Sequence, residues 1–460
     1  MPDNEQTADV VVIGLGPGGK EVATRLAEAG LAVVGIEREL VGGECPYWGC
    51  IPSKMIVRAA ETLAEADRVD QLAGDAAVRA DYTPVARRIR TATDSWDDTA
   101  AVQRFEKLGG RFVRGRGRLV GPRRVQVADI VFTASVGVVL ATGAAPVVPA
   151  VPGLAESGYW TNREAIEATS PPGSLIVLGG GAIGLELAQA FARFGSVVTV
   201  VEGADRVLPM QEPEASAVIT TVLRDEGLDL RTGRRAAAVS RAGRTAAGGY
   251  VTVELDDGST VAGERLLLAA GRRPALRGLG LDSAGLDETA PAVPVDRRLR
   301  AGDGLWAVGD LTGVGSFTHL AVYQARIAVA DILGAPGAGA DYTALPQVTF
   351  TDPEVGSVGL SESAARAAGI DVRTAVRALS ASARGFIHWP GNDGVIKLVA
   401  DAEREVLIGA TSVGPRGGDV LSMLTLAVHA RLPLATVRSM IYAFPAFHRG
   451  VLDALADLPG

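Results

Sequence analysis

Cys45 and Cys50 are the only cysteines in a chain of 460 residues, and both lie in the segment Cys45-Pro46-Tyr47-Trp48-Gly49-Cys50, which continues as Ile51-Pro52-Ser53-Lys54. Thiols used so sparingly and so close together point to chemistry, either redox cycling or metal ligation. A structural zinc site takes about four ligands, and the four histidines, His319, His388, His429 and His448, all lie far along the chain. No metal site is therefore expected. Geometry constrains the pair as well. In a regular helix, residues five apart are rotated by about 140° and separated by a rise of about 7.5 Å, whereas a disulfide needs Cα atoms about 4.4–6.8 Å apart. The two cysteines can pair only if the chain between them departs from a regular helix, and Pro46 and Gly49 suit such a departure. Pro52 suits the first turn of a helix starting near Cys50, which would set the Cys50 sulfur beside partial positive charge that favours thiolate.

Something must deliver electrons to such a pair, and the sequence carries two candidate carriers. Residues 8–13, ADVVVI, read as a buried strand that runs into Gly14-Leu15-Gly16-Pro17-Gly18-Gly19, then a helix over 20–29, then a strand over 31–36 ending at Glu37. This is the strand, G-x-G-x-x-G, helix, strand, acid order of a dinucleotide site. Gly14 makes the tight turn, Gly16 admits a pyrophosphate, Gly19 lets helix pack on strand, and Glu37 reaches a ribose hydroxyl pair. The pattern repeats: a strand over 174–178, the loop Gly179-Gly180-Gly181-Ala182-Ile183-Gly184, a helix over 185–194 and a strand over 196–201 ending at Glu202. Two such units imply two dinucleotides, or one site and a degenerate copy; the cysteine pair favours two occupied sites. A carboxylate at Glu202 bonds a free 2′-hydroxyl and repels a 2′-phosphate, so NADH is expected over NADPH. Arg206 nearby keeps NADPH open.

Composition narrows the class. Hydrophobic residues make up 47% of the chain and the net charge is −8. Acids and bases are interspersed, with no basic stripe for nucleic acid and no polybasic segment for an anionic membrane. No apolar run reaches about 18 residues, and the first residues show no cleavable leader. A cytoplasmic α/β protein acting on a small molecule is expected, away from nucleic acid and membrane.

The motifs in sequence order resemble the flavoprotein disulfide reductases, class I, which include dihydrolipoamide dehydrogenase, glutathione reductase and mercuric reductase. The resemblance rests on Gly14 to Gly19, on Val41-Gly42-Gly43-Glu44-Cys45 through Lys54, and on Ala141-Thr142-Gly143-Ala144-Ala145-Pro146. It continues in Ala269-Ala270-Gly271-Arg272-Arg273-Pro274, Trp306-Ala307-Val308-Gly309-Asp310 and Pro346-Gln347-Val348-Thr349-Phe350-Thr351-Asp352-Pro353-Glu354. It implies two Rossmann-like dinucleotide-binding domains, one inserted in the other, plus a C-terminal α+β dimerisation domain. The FAD-binding domain would be 1–150 and 271–340, the NAD(P)-binding domain 151–270 and the dimerisation domain 341–460, with a small-residue linker at 333–340. It implies FAD as a tightly held cofactor, with Gly43, Thr142 and Gly143 in its motifs. Asp310 would bind the ribityl chain, Thr318 would lie near the flavin ring and Gly117 near the adenine. Glu202 and the Gly271-Arg272 turn would contact the nicotinamide dinucleotide. Cys50 would be the flavin-facing sulfur and Cys45 the interchange sulfur. Lys54, paired with Glu186, would sit beside the flavin. The working form would be a homodimer with a composite active site.

One departure matters. The family carries a His-Pro dipeptide near its C-terminus, with a Glu five residues after the His, and that His, from the other subunit, moves the proton of the interchange thiol. Here Phe444 precedes Pro445 and Arg449 stands in the Glu position. Either His448 takes over the role, or substrate and solvent supply the proton, or the substrate is not an ordinary disulfide. Tyr47 and Trp48 beside Cys45 either pack behind the helix or line an apolar pocket, with packing favoured. The expected activity is electron transfer from NAD(P)H through FAD to the Cys45–Cys50 pair and on to a small disulfide, thiol or related electrophile. The alternatives are a quinone or other non-disulfide reductase, a biosynthetic thiol-handling enzyme, and a non-catalytic flavin- or NADH-binding component.

Overall fold

The computed structural model describes residues 4–242 and 249–459. The chain divides into two units. The first takes the described residues within Met1–Pro52, Arg87–Val147 and Gly271–Asp341, and the second takes those within Ser53–Ala86, Val148–Ala270 and Tyr342–Gly460.

The first unit is built on an eight-stranded sheet whose parallel strands run in the order Leu305–Ala307, Ile130–Leu140, Glu5–Ile13, Val33–Glu37, Arg111–Arg114. Its central strand ends in Val10, Val11, Val12 and Ile13, all buried. A parallel sheet covered on both faces requires such an unbroken apolar run. The strand opens directly into the first glycine loop and the helix Pro17–Glu28. Gly14 has φ 91°, and a Cβ there would stand 2.5 Å from the Ala141 carbonyl oxygen, so only glycine lets the crossing strand end lie this close.

The second unit holds two sheets around separate cores and a smaller third. A parallel sheet in the order Asp229–Thr232, Val197–Glu202, Ser174–Leu178, Arg265–Leu268 carries the second glycine loop, flanked by a three-stranded antiparallel sheet. The C-terminal part is a five-stranded antiparallel sheet in which all nine residues of Val406–Gly414 are buried. The helices Gly417–His429 and Arg449–Ala456 pack into its core through Leu421, Leu424, Val451 and Leu455. Lys397 ties the two parts together. Its ammonium, 3% exposed, lies 3.1 Å from Glu212, 2.8 Å from Glu214 and 2.9 Å from Glu362.

The chain passes between units at 52/53, 86/87, 147/148, 270/271 and 341/342. Residues 53–86, expected in the FAD-binding domain, belong to the second unit, because Lys54 pairs with Glu186, Arg68 with Asp352, and the Tyr82 ring packs on Phe191 and Phe194. Residues 84–108 read as helix from sequence, and in the structure they form two helices, Thr83–Ala92 and Thr99–Lys107, separated by a turn in which Asp94, Ser95 and Trp96 have φ of 48°, 54° and 61°. The run Thr93-Asp94-Ser95-Trp96-Asp97-Asp98-Thr99 explains the break. Its short polar side chains bond local backbone, as Thr93 does to Ile89 O and Asp97 to Thr99 N, in competition with the helix. Left-handed backbone costs about 1–2 kcal/mol per non-glycine residue, so neighbouring contacts must hold this turn in place.

Lys397→Met should lower the unfolding free energy by about 3–5 kcal/mol in a denaturant titration, because it leaves three carboxylates facing one another without their cation. The pH dependence follows from two opposite shifts. Bonds to Lys397 and Arg366 hold Glu362 below its ordinary 4.5, so its contribution is present above that value and lost as pH falls through the lower folded value. Burial opposes the charge on Lys397, but Glu214, Glu362 and Glu212 outweigh it and raise the ammonium above its ordinary 10.5. That contribution is intact below 10.5 and lost only as pH rises through the higher folded value.

Candidate active site

The redox segment is two helical pieces with a break between them. Glu44–Tyr47 forms one turn, Trp48 leaves the helical region at φ −137°, and the next helix, Cys50–Asp67, starts at Cys50. The break lets residues five apart bring their sulfurs together. Cys50 is exposed and Cys45 half-buried, and both are thiols. The Cys50 Sγ lies 3.3 Å from the Thr318 Oγ1, and Thr318 is the first residue of the helix Thr318–Ile332. Two helix N-termini thus converge on Cys50, and the partial positive charge of both favours thiolate there. The hydrogen bond to Cys50, together with burial, pushes the Cys45 thiol up, with Thr318 opposing. Tyr47 and Trp48 are 7% and 8% exposed, which fits packing and not a pocket wall.

In the second unit the Lys54 Nζ lies 2.6 Å from Glu186 Oε2 and 4.8 Å above the centre of the Phe350 ring. Glu186 is buried on the helix Ala182–Arg193, and its other oxygen accepts the Phe350 N–H at 2.9 Å. The pair expected from sequence is formed.

The glycine loops share one construction. In the first, the Glu37 carboxylate accepts the N–H of Leu15 and of Glu39, both at 2.8 Å. In the second, Glu202 accepts the N–H of Gly180 at 2.6 Å and of Ala204 at 2.7 Å. In both, the residue before the helix, Gly16 or Gly181, has open space where a Cβ would stand, while a Cβ on Gly19 or Gly184 would run into the carbonyl of Gly14 or Gly179. Each loop thus leaves room for a pyrophosphate at a helix N-terminus, so the residues present fit FAD in the first unit and a nicotinamide dinucleotide in the second. A Cβ on Gly43 would stand 2.8 Å from the Gly16 Cα, and one on Gly117 would stand 3.0 Å from Ile13 and 3.3 Å from Ile36, at the carboxyl ends of two parallel strands. Thr142 donates to Ala275 O at 3.2 Å, beside Gly143. Burial raises the Asp310 carboxyl, opposed by Arg272 and Ser316.

Arg272 donates to Ala144 O at 2.7 Å and lies 3.9 Å from Glu44, and its charge faces Asp310. Gly271, with φ 107°, marks the chain's return to the first unit. Arg206 donates to Pro209 O and Gln211 O. Phe444 is 69% exposed, with the Arg449 guanidinium 5.5 Å from its ring. His448 lies just before the helix Arg449–Ala456 and stacks on Tyr442 with ring centres 6.0 Å apart, which is a packing contact. Sequence reasoning missed Phe350, whose N–H and ring hold Glu186 and Lys54; only its place in the motif at 346–354 pointed that way.

A family model described as pyridine nucleotide-disulphide oxidoreductase matches residues 8–325, and the dimerisation domain of the same family matches residues 345–455. The chain belongs to this family. It is similar to the dihydrolipoyl dehydrogenase of Thermus scotoductus, 33% identical over 98% of each chain. It is also similar to the mercuric reductase of Streptomyces lividans, 34% identical over 92% of this chain and 90% of that one. Among solved structures, the Cu(II) complex of the HOCl-induced flavoprotein disulfide reductase RclA from Escherichia coli aligns with a TM-score of 0.84 at 28% identity, covering 98% of this chain and 99% of that one. The protein is an FAD-dependent, NAD(P)H-linked oxidoreductase acting on a sulfur group. Its dimerisation domain supports a homodimer. Among the described residues, no helix is long and apolar enough to cross a membrane.

The thiols should be distinguishable. In anaerobic absorbance spectra, Cys45→Ser should keep a long-wavelength thiolate–flavin band and Cys50→Ser should lose it. Because the Cys45 thiol is raised, its alkylation in the reduced protein should stay slow through neutral pH and accelerate only above the ordinary thiol range of about 8.5.

Proposed function

We propose that this protein is an NADH-preferring reductase that delivers electrons through the Cys50–Cys45 pair to a small disulfide, as a homodimer with a composite active site, in the reducing cytoplasm. The observation that carries this reading is the dithiol itself. Cys50 is the first residue of its helix and lies within bonding reach of Thr318, the first residue of another, with Cys45 a half-buried thiol beside it.

The glycine loops at Gly14–Gly19 and Gly179–Gly184 would hold FAD and NADH, which when bound would supply the two electrons that return the pair to its dithiol form. The protein's own groups do the rest. Once Cys45 gives up its proton, its sulfur attacks one sulfur of the substrate disulfide. A mixed disulfide forms and the first substrate thiolate leaves. Cys50 then attacks the Cys45 sulfur, closing the Cys45–Cys50 disulfide and releasing the second thiolate. Two protons end on the two substrate thiols. Lys54, oriented by Glu186 and Phe350, would supply positive charge to stabilise a reduced, anionic flavin. Glu202 supports NADH, because both its oxygens are fixed at the loop and its charge repels a 2′-phosphate; Arg206, already bonded to backbone carbonyls, is not arranged to offset it.

A second reading rests on Phe444. A phenyl ring moves no proton, and a thiophilic metal ion held between two thiolates requires none for a leaving thiol. A mercuric reductase and the Cu(II) complex of RclA are among the proteins similar to this chain. Among the described residues no group of three or more His, Cys, Asp and Glu could hold a resident metal, so such an ion would be substrate on the cysteine pair alone.

Steady-state turnover of the FAD-loaded protein with NADH against lipoamide, glutathione disulfide, quinones, Hg²⁺ and Cu²⁺ tests both readings. The first expects disulfide turnover that Cys45→Ser abolishes; full activity in that variant would overturn it. Phe444→His should raise disulfide turnover by roughly 10²-fold, the low end of acid–base assistance, and leave metal-ion reduction unchanged. His448→Ala should leave both unchanged. Glu202→Ala should narrow the NADH to NADPH ratio of kcat/KM.

A further inference from the structure

The left-handed turn at 94–96 has no role in the chemistry above, yet its neighbours meet the redox segment at both ends. The Asp98 Oδ2 accepts the Val41 N–H at 2.7 Å. The Trp96 indole Nε1 donates to the Tyr47 carbonyl at 3.3 Å. Cys45 lies between these two points, two residues before Tyr47. Asp98 is itself fixed, being 7% exposed and taking an Arg114 Nη2 at 2.8 and 2.6 Å on its two oxygens. The Arg114 guanidinium is anchored in turn 4.6 Å over the Phe112 ring. Within the segment, the Tyr47 hydroxyl lies 3.5 Å from the Val41 carbonyl, so the two ends also approach each other.

We propose that Trp96 and Asp98 are positioning residues for the redox pair, clamping the two ends of segment 41–47 and thereby setting how closely the Cys45 sulfur approaches Cys50. The inference rests on Cys45 and Cys50 being the working redox pair, as proposed above. Neither clamp residue touches a sulfur. They act on the backbone that carries Cys45, while Cys50 is fixed separately as the first residue of its helix. Strained backbone persists where surrounding contacts over-determine it, and such sites cluster where geometry matters to function. The run Asp94, Ser95 and Trp96 is such a site. Releasing the Trp96 or Asp98 bond frees one end of a seven-residue span and lowers the local concentration of one sulfur about the other.

The test uses the full-length FAD-loaded protein in glutathione redox buffers, where the dithiol and glutathione disulfide exchange with the Cys45–Cys50 disulfide and two glutathione thiols. Acid trapping, alkylation and mass spectrometry give the disulfide fraction. Trp96→Phe removes the indole donor and keeps an aromatic ring; it should weaken disulfide formation about tenfold, the scale on which small displacements act on positioned groups. Asp98→Ala should do the same, and Asp98→Asn, which retains an acceptor for Val41, should recover part of the loss. A Trp96→Phe protein whose equilibrium matches the wild type would overturn the clamp, even if Asp98→Ala fails to fold. A wild-type protein that never forms the disulfide would overturn the redox-pair reading and the clamp with it. Formation in the wild type with unchanged variants would remove the clamp alone.

Discussion

Two sulfurs five residues apart can meet only where the backbone between them stops being helical, and much of the site is arranged around that interruption. The turn at Glu44–Tyr47 carries Cys45, and the helix restarting at Cys50 carries its partner. Between them Trp48 and Gly49 reverse the register. A Cβ at Gly49 would stand 3.1 Å from the Glu44 carbonyl oxygen and 3.4 Å from the Cys45 Cα. The restart also supplies the electrostatics, because the first residue of a helix faces unsatisfied N–H groups. One local break therefore sets both the approach of the sulfurs and the electrostatics around Cys50.

Electron supply uses the same physical device twice. Each glycine loop is closed by a carboxylate that takes one N–H from inside the loop and one from two residues beyond itself. Glu37 does so through Leu15 and Glu39, and Glu202 through Gly180 and Ala204. Each acid is oriented before any nucleotide arrives, so binding need not order a side chain worth about 0.5–1.5 kcal/mol. The difference between the two sites lies in what surrounds the loops. The first unit places Arg272, Glu44 and Asp310 near one another.

The parts legible from sequence were those set by short-range rules. The strand, loop, helix and acid order located both nucleotide units, although the helices begin at Pro17 and Ala182, ahead of the expected 20 and 185. The order of strands in the sheets is a long-range property that no window of sequence carries. Residues 53–86 illustrate the limit, since their helix begins in continuity with the redox segment while its contacts, Lys54 with Glu186 and Arg68 with Asp352, lie 132 and 284 positions away. The break at 94–98 was readable in principle from its run of Asp, Ser and Thr. The contacts of Arg272 could not be read, because a guanidinium in a turn can face several neighbours.

The buried cluster at Lys397 makes the second unit unequal in its tolerance of change. One ammonium serves three carboxylates, two from around the start of the helix Pro213–Asp225 and one from the helix Glu362–Ala367. Loss of a single acid leaves the cation with two others, and reduces the excess of negative charge around it. Loss of the lysine removes the common partner of all three. Sequence drift should therefore pass more readily through Glu214, the most exposed acid of the three, than through Lys397, so this junction can vary on its acidic side while its basic side stays fixed.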